Sequence, residues 1–158
     1  MSQGPLYSYV EFRVRYSETD QMGVVHHPNY FVWFENGRIS LLRQCGLIYA
    51  ELERNDEYFP VVTCACKYFR PARFDDLLLV KTAIVEVQSN KLGFGAWVFN
   101  QEEGGEASEP LAKLYSLHAY AKDELAASPL PQSIIDKVQP HLFTGIFFSK
   151  KRRRPPGF

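Results

Sequence analysis

Cysteine is scarce. Cys45, Cys64 and Cys66 are the only three in 158 residues. An odd count without framework spacing excludes a disulfide scaffold and points to free thiols in a reducing compartment. Cys64 and Cys66 lack the usual two-residue gap of a zinc pair, and no second pair follows. Two apart in a strand-like run, they face one side and read as small buried hydrophobes. Long apolar runs are missing too: none approaches the roughly 18 residues that a spanning helix needs. The first residues show no basic-then-apolar signal pattern. A soluble cytoplasmic protein is expected. Net charge is absent as well, with 18 basic and 18 acidic residues. Five of the basic ones, however, are Lys150, Lys151, Arg152, Arg153 and Arg154, which leaves 13 basic against 18 acidic in the body. An acidic body argues against a general nucleic-acid binder, which needs a basic face. The basic run, followed by Pro155, Pro156 and Gly157, reads as a solvated end. One domain over 1–142 and a basic, flexible tail over 143–158 are expected.

Aromatic side chains, by contrast, are plentiful at 15%, which suits a sheet packed on a helix or a large interface. Residues 7–16 alternate, with Ser8, Val10, Phe12, Val14 and Tyr16 on one side, and predict a half-buried strand. A polar turn closed by Gly23 follows. Pro28 suits the first turn of a helix, where its missing N–H costs nothing. Phe34, Gly37, Leu41 and Cys45 recur at spacings of three and four, predicting an amphipathic helix of four to five turns. Gly46 suits its left-handed cap. A short helix over 48–55 is expected next. After Pro60 the period changes to two and four strands follow, broken by RPARFDD, QSNK and the Gly104-Gly105 loop. Their short connections predict an antiparallel meander. A last short helix is expected over 131–141. One long helix and five antiparallel strands satisfy each other if the sheet curls around the helix, giving an α+β layer on a helix.

The stretch from Tyr16 to Arg38 carries the chemistry. Asp20 lies in a tight turn, His26 and His27 immediately precede Pro28, and Tyr16 stands at the expected strand end. A helix N-terminus offers unpaired N–H groups and partial positive charge, which stabilise an oxyanion formed on an attacked carbonyl. A nearby carboxylate can be the nucleophile or the base to a water. Taken as residue types alone, Asp20 reads first as a turn aspartate and His27 as a cap, ahead of any catalytic role.

The run Tyr16-x-x-Thr19-Asp20-x-x-Gly23-Val24-Val25-x-His27-x-x-Tyr30 resembles the signature of the 4-hydroxybenzoyl-CoA thioesterase family, especially its bacterial acyl-CoA thioesterase branch. The likeness continues through Glu35-x-x-Arg38, Leu42-Arg43-x-x-Gly46 and the stretch from Phe59 to Val80, and covers roughly 8–123. It implies the hotdog fold, the same arrangement as the element order suggests. It also implies dimers whose sheets join, often paired into tetramers, and acyl-CoA bound between subunits, with no cofactor. By this resemblance Asp20 is the catalytic carboxylate, the backbone N–H of His27 polarises the thioester carbonyl, and the His27 imidazole and Tyr16 hydroxyl assist. Gly23 lets the backbone pass close to substrate. Lys91 stands where the family more often has a small hydroxyl residue; it is a candidate for the CoA phosphates, as are Arg70 and Arg73. His118 reads as a packed or edge histidine, and a metal site built from His26, His27 and His118 is not expected. Hydrolysis of an acyl-CoA to free acid and CoA is the leading expectation. An acyl-carrier-protein thioesterase and a non-catalytic acyl-CoA-binding module are the alternatives.

Overall fold

The structure, a computed structural model, describes residues 3–147. Alternation produces β1 (Tyr7–Arg13), in which Ser8 is buried and Phe12 packs on the core while Tyr9, Glu11 and Arg13 are exposed. The strand stops three residues before the expected Tyr16. There the chain coils into a 3-10 turn (Tyr16–Glu18), because the Glu18 carboxylate turns back to accept the N–H of Arg15 at 2.8 Å.

The long helix α1 (Asn29–Gln44) buries Tyr30, Trp33, Phe34, Gly37, Leu41 and Leu42, the face that the three-and-four spacing marks out. Pro28 precedes it with helical angles. Gly46 has φ +82°, as expected of a left-handed cap. Its N–H reaches the Arg43 carbonyl at 3.0 Å and that of Leu47 reaches Leu42 at 2.8 Å, the paired bonds of a Schellman end. The chain continues through α2 (Tyr49–Arg54), β2 (Glu57–Tyr58), β3 (Val61–Tyr68), β4 (Leu77–Val87), β5 (Lys91–Asn100), β6 (Ala112–Ala119), β7 (Ala121–Lys122), β8 (Ala126–Ala127) and α3 (Gln132–Val138).

Five strands form one antiparallel sheet in the order β1-β4-β5-β6-β3, with α1 against one face. The expected meander holds only for β4, β5 and β6. β3 sits at the far edge beside β6, and the chain crosses the end of the sheet to put β4 beside β1. Spacing alone does not reveal this, because the connection over 69–76 is ambiguous. Eight residues reach about 26 Å when extended, enough to cover three strand spacings of about 4.8 Å.

Beyond α3 the chain folds over the outer face of the sheet. There Phe143 and Phe147 lie against Trp97, at 5.6 and 5.3 Å between ring centres. The basic run at 150–154 lies outside the described residues.

Candidate active site

Between the 3-10 turn and α1 the chain makes a miniature hairpin. Thr19 bridges Val25, the Asp20 N–H donates to the Val24 carbonyl at 2.9 Å, and Gly23 N–H donates to the Asp20 carbonyl at 3.0 Å. Gly23 closes the turn at φ +76°, where a side chain would be strained. Asp20 is half-buried. Its Oδ1 accepts the Met22 N–H at 2.8 Å, and Oδ2 takes no hydrogen bond from the described residues. The turn is therefore held by one carboxylate oxygen, and the other has no hydrogen-bond partner among the described residues.

The returning arm delivers the helix N-terminus. His26 N–H donates to the Glu18 carbonyl at 2.8 Å, and the Asn29 amide donates to the carbonyls of Glu18 and His26 at 3.1 and 2.9 Å. The His27 carbonyl accepts the Tyr68 hydroxyl at 3.1 Å. The His27 N–H, however, meets no acceptor among the described residues. It is an unspent donor at the positive end of a 16-residue helix. Both imidazoles are exposed and meet edge to face at 5.0 Å.

Glu18 escaped sequence reasoning. Its side chain is buried and accepts the Arg15 backbone N–H, the Arg15 guanidinium at 3.1 Å and the Trp33 indole at 2.9 Å. Burial pushes its carboxyl up, but these three donors outweigh that and hold it below the usual range. It ties strand, hairpin and helix into one unit. The available signal was Trp33, whose indole on a buried helix face must find an acceptor.

The crossing segment clamps this unit from the other side. The Ala72 carbonyl accepts the Val25 N–H at 2.8 Å, the Tyr30 hydroxyl accepts the Ala72 N–H at 3.3 Å, and Arg73 reaches the Gly23 carbonyl at 3.4 Å. Tyr16 sits in the 3-10 turn instead of at the strand end. It is 77% exposed and meets the Phe74 ring edge-on at 5.5 Å. Tyr16, Asp20, Gly23, His27 and Arg73 thus share one end of the sheet. Arg70 is spent nearby on Glu103 at 2.7 Å and the Glu109 carbonyl at 2.9 Å. Lys91 begins β5 at the opposite end, opposite Ala119, and the length of that strand puts it roughly 30 Å from the Asp20 end within one chain.

A small pocket opens beside α1 on the Lys91 side. Arg38 and Tyr49 line its wall, Phe59, Phe94 and His118 its floor. Arg38 makes no hydrogen bond with the described residues and lies over the Phe34 ring at 4.8 Å; burial, though opposed by the Glu35 charge, lowers its pKa. His118 is packed, as expected. Its Nδ1 faces the Phe59 carbonyl at 3.0 Å and its Nε2 the Ser116 hydroxyl at 2.8 Å. Since a carbonyl only accepts, Nδ1 carries the proton and Nε2 accepts from Ser116. Burial first, then the Arg38 charge, pushes the pKa of His118 down from 6.5 to about 4, against the opposing effect of the Phe59 carbonyl. Between those values the unfolded chain holds a proton that the folded chain refuses, so stability falls as pH is lowered through this window. Glu18 contributes a similar loss only below about 4.5. The melting temperature should therefore decline from pH 6.5 to 4, and the decline should be shallower in His118→Gln. Equal slopes by circular dichroism would refute the neutral His118. No group of three or more potential metal ligands occurs among the described residues, nor is any helix there long and apolar enough to cross a membrane.

Against known proteins, the family model described as Thioesterase superfamily matches residues 22–107, more than half of the chain. The chain belongs to the Thioesterase superfamily. The match takes in Gly23, His27, α1 and the crossing segment, and begins two residues after Asp20. This thioesterase-family chain is 38% identical to YneP of Bacillus subtilis over 90 residues, 57% of this chain and 65% of that protein. It is 33% identical to the acyl-CoA thioester hydrolase YbgC of Escherichia coli O6:H1 over 90 residues, 57% of this chain and 67% of that one. It thus spans about two thirds of the length of these relatives. A solved mutant of 4-hydroxybenzoyl-CoA thioesterase complexed with 4-hydroxybenzoyl-CoA superposes with a TM-score of 0.75, covering 84% of this chain and 98% of that one; at 20% identity it shows the fold alone. The hotdog fold and the family read from the stretch Tyr16 to Arg38 are both borne out.

Proposed function

We propose that the protein hydrolyses an acyl-CoA thioester to a carboxylic acid and CoA. The observation that carries this reading is the conjunction of an unengaged Asp20 carboxylate oxygen with the unspent His27 N–H, on the two arms of one hairpin. The N–H and helix dipole polarise the thioester carbonyl and take up the charge that develops on its oxygen. Asp20 either takes a proton from the water that attacks, or attacks itself to give an anhydride that water then opens. In both routes the C–S bond breaks, CoA leaves as thiolate and is protonated, and water supplies the acid's new oxygen. The exposure of Tyr16 and the His27 imidazole at the same end supports their meeting the acyl or pantetheine part, and the position of Arg73 there supports its meeting phosphate. YbgC, an acyl-CoA thioester hydrolase by name, supports the substrate class.

The open edge of β3 supports a dimer in which two sheets join. Val61 and Val62 are 54% and 53% exposed there, on a strand with no proline and a single lysine to protect it. Antiparallel pairing of two copies exchanges the strand ends. It sets the Tyr68–His27 end of one chain beside the Val61 end of the other, and so brings the Arg38 pocket and Lys91 of the second copy toward Asp20 of the first. The reading thus accounts for Lys91, which a single chain leaves remote. Three free thiols suit a reducing cytoplasm.

Release of CoA from a panel of short, medium, long and aromatic acyl-CoAs tests the activity. Turnover is expected on at least one class; tight binding without turnover on any would replace the enzyme by a binding module.

A further inference from the structure

Nothing in the hydrolysis of a thioester uses Arg38. Its guanidinium is half-buried, lies 4.8 Å over the Phe34 ring, and has no hydrogen-bond or ion-pair partner among the described residues. Glu35 stands one helical turn before it, exposed at the pocket mouth, and does not close on it. Burial lowers the pKa of Arg38, and the Glu35 charge opposes that only in part. A guanidinium placed like this is costly until an anion meets it.

The rest of the pocket suits an anion. Tyr49 adds a hydroxyl donor with no partner of its own among the described residues, and burial raises its pKa, so the proton stays on. His118 has both ring nitrogens engaged, by Phe59 and Ser116, and so carries no charge into the pocket. Phe59 and Phe94 complete an apolar floor. The space within is about 20 Å³, more than the roughly 10–15 Å³ that a water needs. It admits the end of a chain but not a ring.

A furrow between α1 and β3 leads to this pocket from the Asp20 end. On one bank Phe31, Glu35 and Arg38 follow the helix start at intervals of four and three, which is one face of α1. On the other bank Tyr68 holds the His27 carbonyl and packs on Tyr30 at 5.1 Å, and Cys66 and Cys64 follow it on the same face of β3. The banks agree in length. From Asn29 to Arg38 the helix rises about 14 Å, and from Tyr68 to Cys64 the strand advances about 13 Å. They also meet, since Cys64 lies within electrostatic reach of Arg38. Two small thiol side chains, one exposed and one half-buried, leave the furrow open.

We propose that this furrow takes the acyl part and that Arg38, with Tyr49, receives a carboxylate at its far end, so that the preferred substrate is the CoA thioester of a medium-chain dicarboxylic acid. The guanidinium fork matches a carboxylate in shape as well as charge. The proposal rests on the thioesterase reading, and it needs no second copy, because both banks belong to one chain.

The test is kcat/KM on octanoyl-, decanoyl- and dodecanoyl-CoA against the same thioesters carrying a terminal carboxylate. At the best-fitting length the carboxylate form should be favoured about 10-fold or more, the worth of a charge-assisted bond. Arg38→Gln should remove that preference. Glu35→Gln, at an exposed position, serves if Arg38→Gln fails to fold: without the like charge at the mouth the preference should widen. Equal kcat/KM for the two forms at every length, a preference that survives Arg38→Gln, or one that narrows in Glu35→Gln overturns the assignment. If none of these thioesters is hydrolysed, calorimetric binding of the same pairs to wild type and Arg38→Gln decides it. Binding of the carboxylate form about 10-fold tighter, lost in the variant, supports Arg38, and equal binding overturns it. A failure of the thioesterase reading and a failure of the pocket are thus read separately.

Discussion

Asp20→Asn should abolish most thioester hydrolysis while leaving the fold and its stability almost untouched. The structure gives a reason for both halves. Asp20 holds its turn through Oδ1, which accepts the Met22 N–H at 2.8 Å, and an asparagine carbonyl oxygen accepts that bond equally well. The hairpin bonds between Asp20 and Val24 and between Gly23 and Asp20 are main-chain and do not change. What is lost is the second oxygen with its charge, which as base or nucleophile contributes roughly 10²–10⁴ in rate. The expected result is a fall of about 10³-fold in kcat, with melting temperature and native mass as in wild type. Full activity in a folded Asp20→Asn would remove Asp20 from the chemistry. Asp20→Ala is a poorer probe, since it loses the turn bond too.

The second large effect is on stability, at Gly37. The helix approaches the sheet most closely there: the Gly37 carbonyl accepts the Ser8 hydroxyl at 2.7 Å, and a Cβ at Gly37 would run into the Thr82 hydroxyl of β4. Ser8 and Thr82 are both fully buried, so neither can swing away into solvent. Gly37→Val adds three carbons to a contact with no room. It should cost about 3 kcal/mol, or roughly 10 °C in melting temperature, well above the gain of up to about 1 kcal/mol from replacing a helical glycine. Gly37→Ala should be milder and be partly rescued by Thr82→Ala, which removes the opposing hydroxyl. A Gly37→Val protein that melts with wild type would mean the helix rides farther from the sheet.

That contact also marks how far the sequence could be read. The helix, its buried stripe through Gly37 and its cap at Gly46 follow from spacing and from one residue that tolerates positive φ. Local rules suffice for local structure. The order of strands was less accessible, because alternation identifies a strand without naming its neighbour. The eight residues between β3 and β4 serve a hairpin or a crossing equally well. At the site, Asp20, Gly23 and His27 were legible as a motif and do share one hairpin. Glu18 was not, since nothing in the run from Tyr16 to Asp20 tells a buried carboxylate from a solvated one. Its burial comes from Trp33, 15 positions on. Lys91 lies at the far end of the sheet from Asp20 within one chain, a separation that a linear motif does not reveal.

The clamp on the hairpin has a consequence for how the protein comes into being. Val25 is tied to Ala72, and Gly23 to Arg73, across 47 and 50 positions of sequence. Closing loops of that length is slow compared with winding a helix or joining neighbouring strands. Main-chain atoms of the crossing segment can take their places only after β3 and β4 have settled three strands apart in the sheet. Newly made chains therefore acquire helix and sheet before they acquire the clamped turn that carries Asp20.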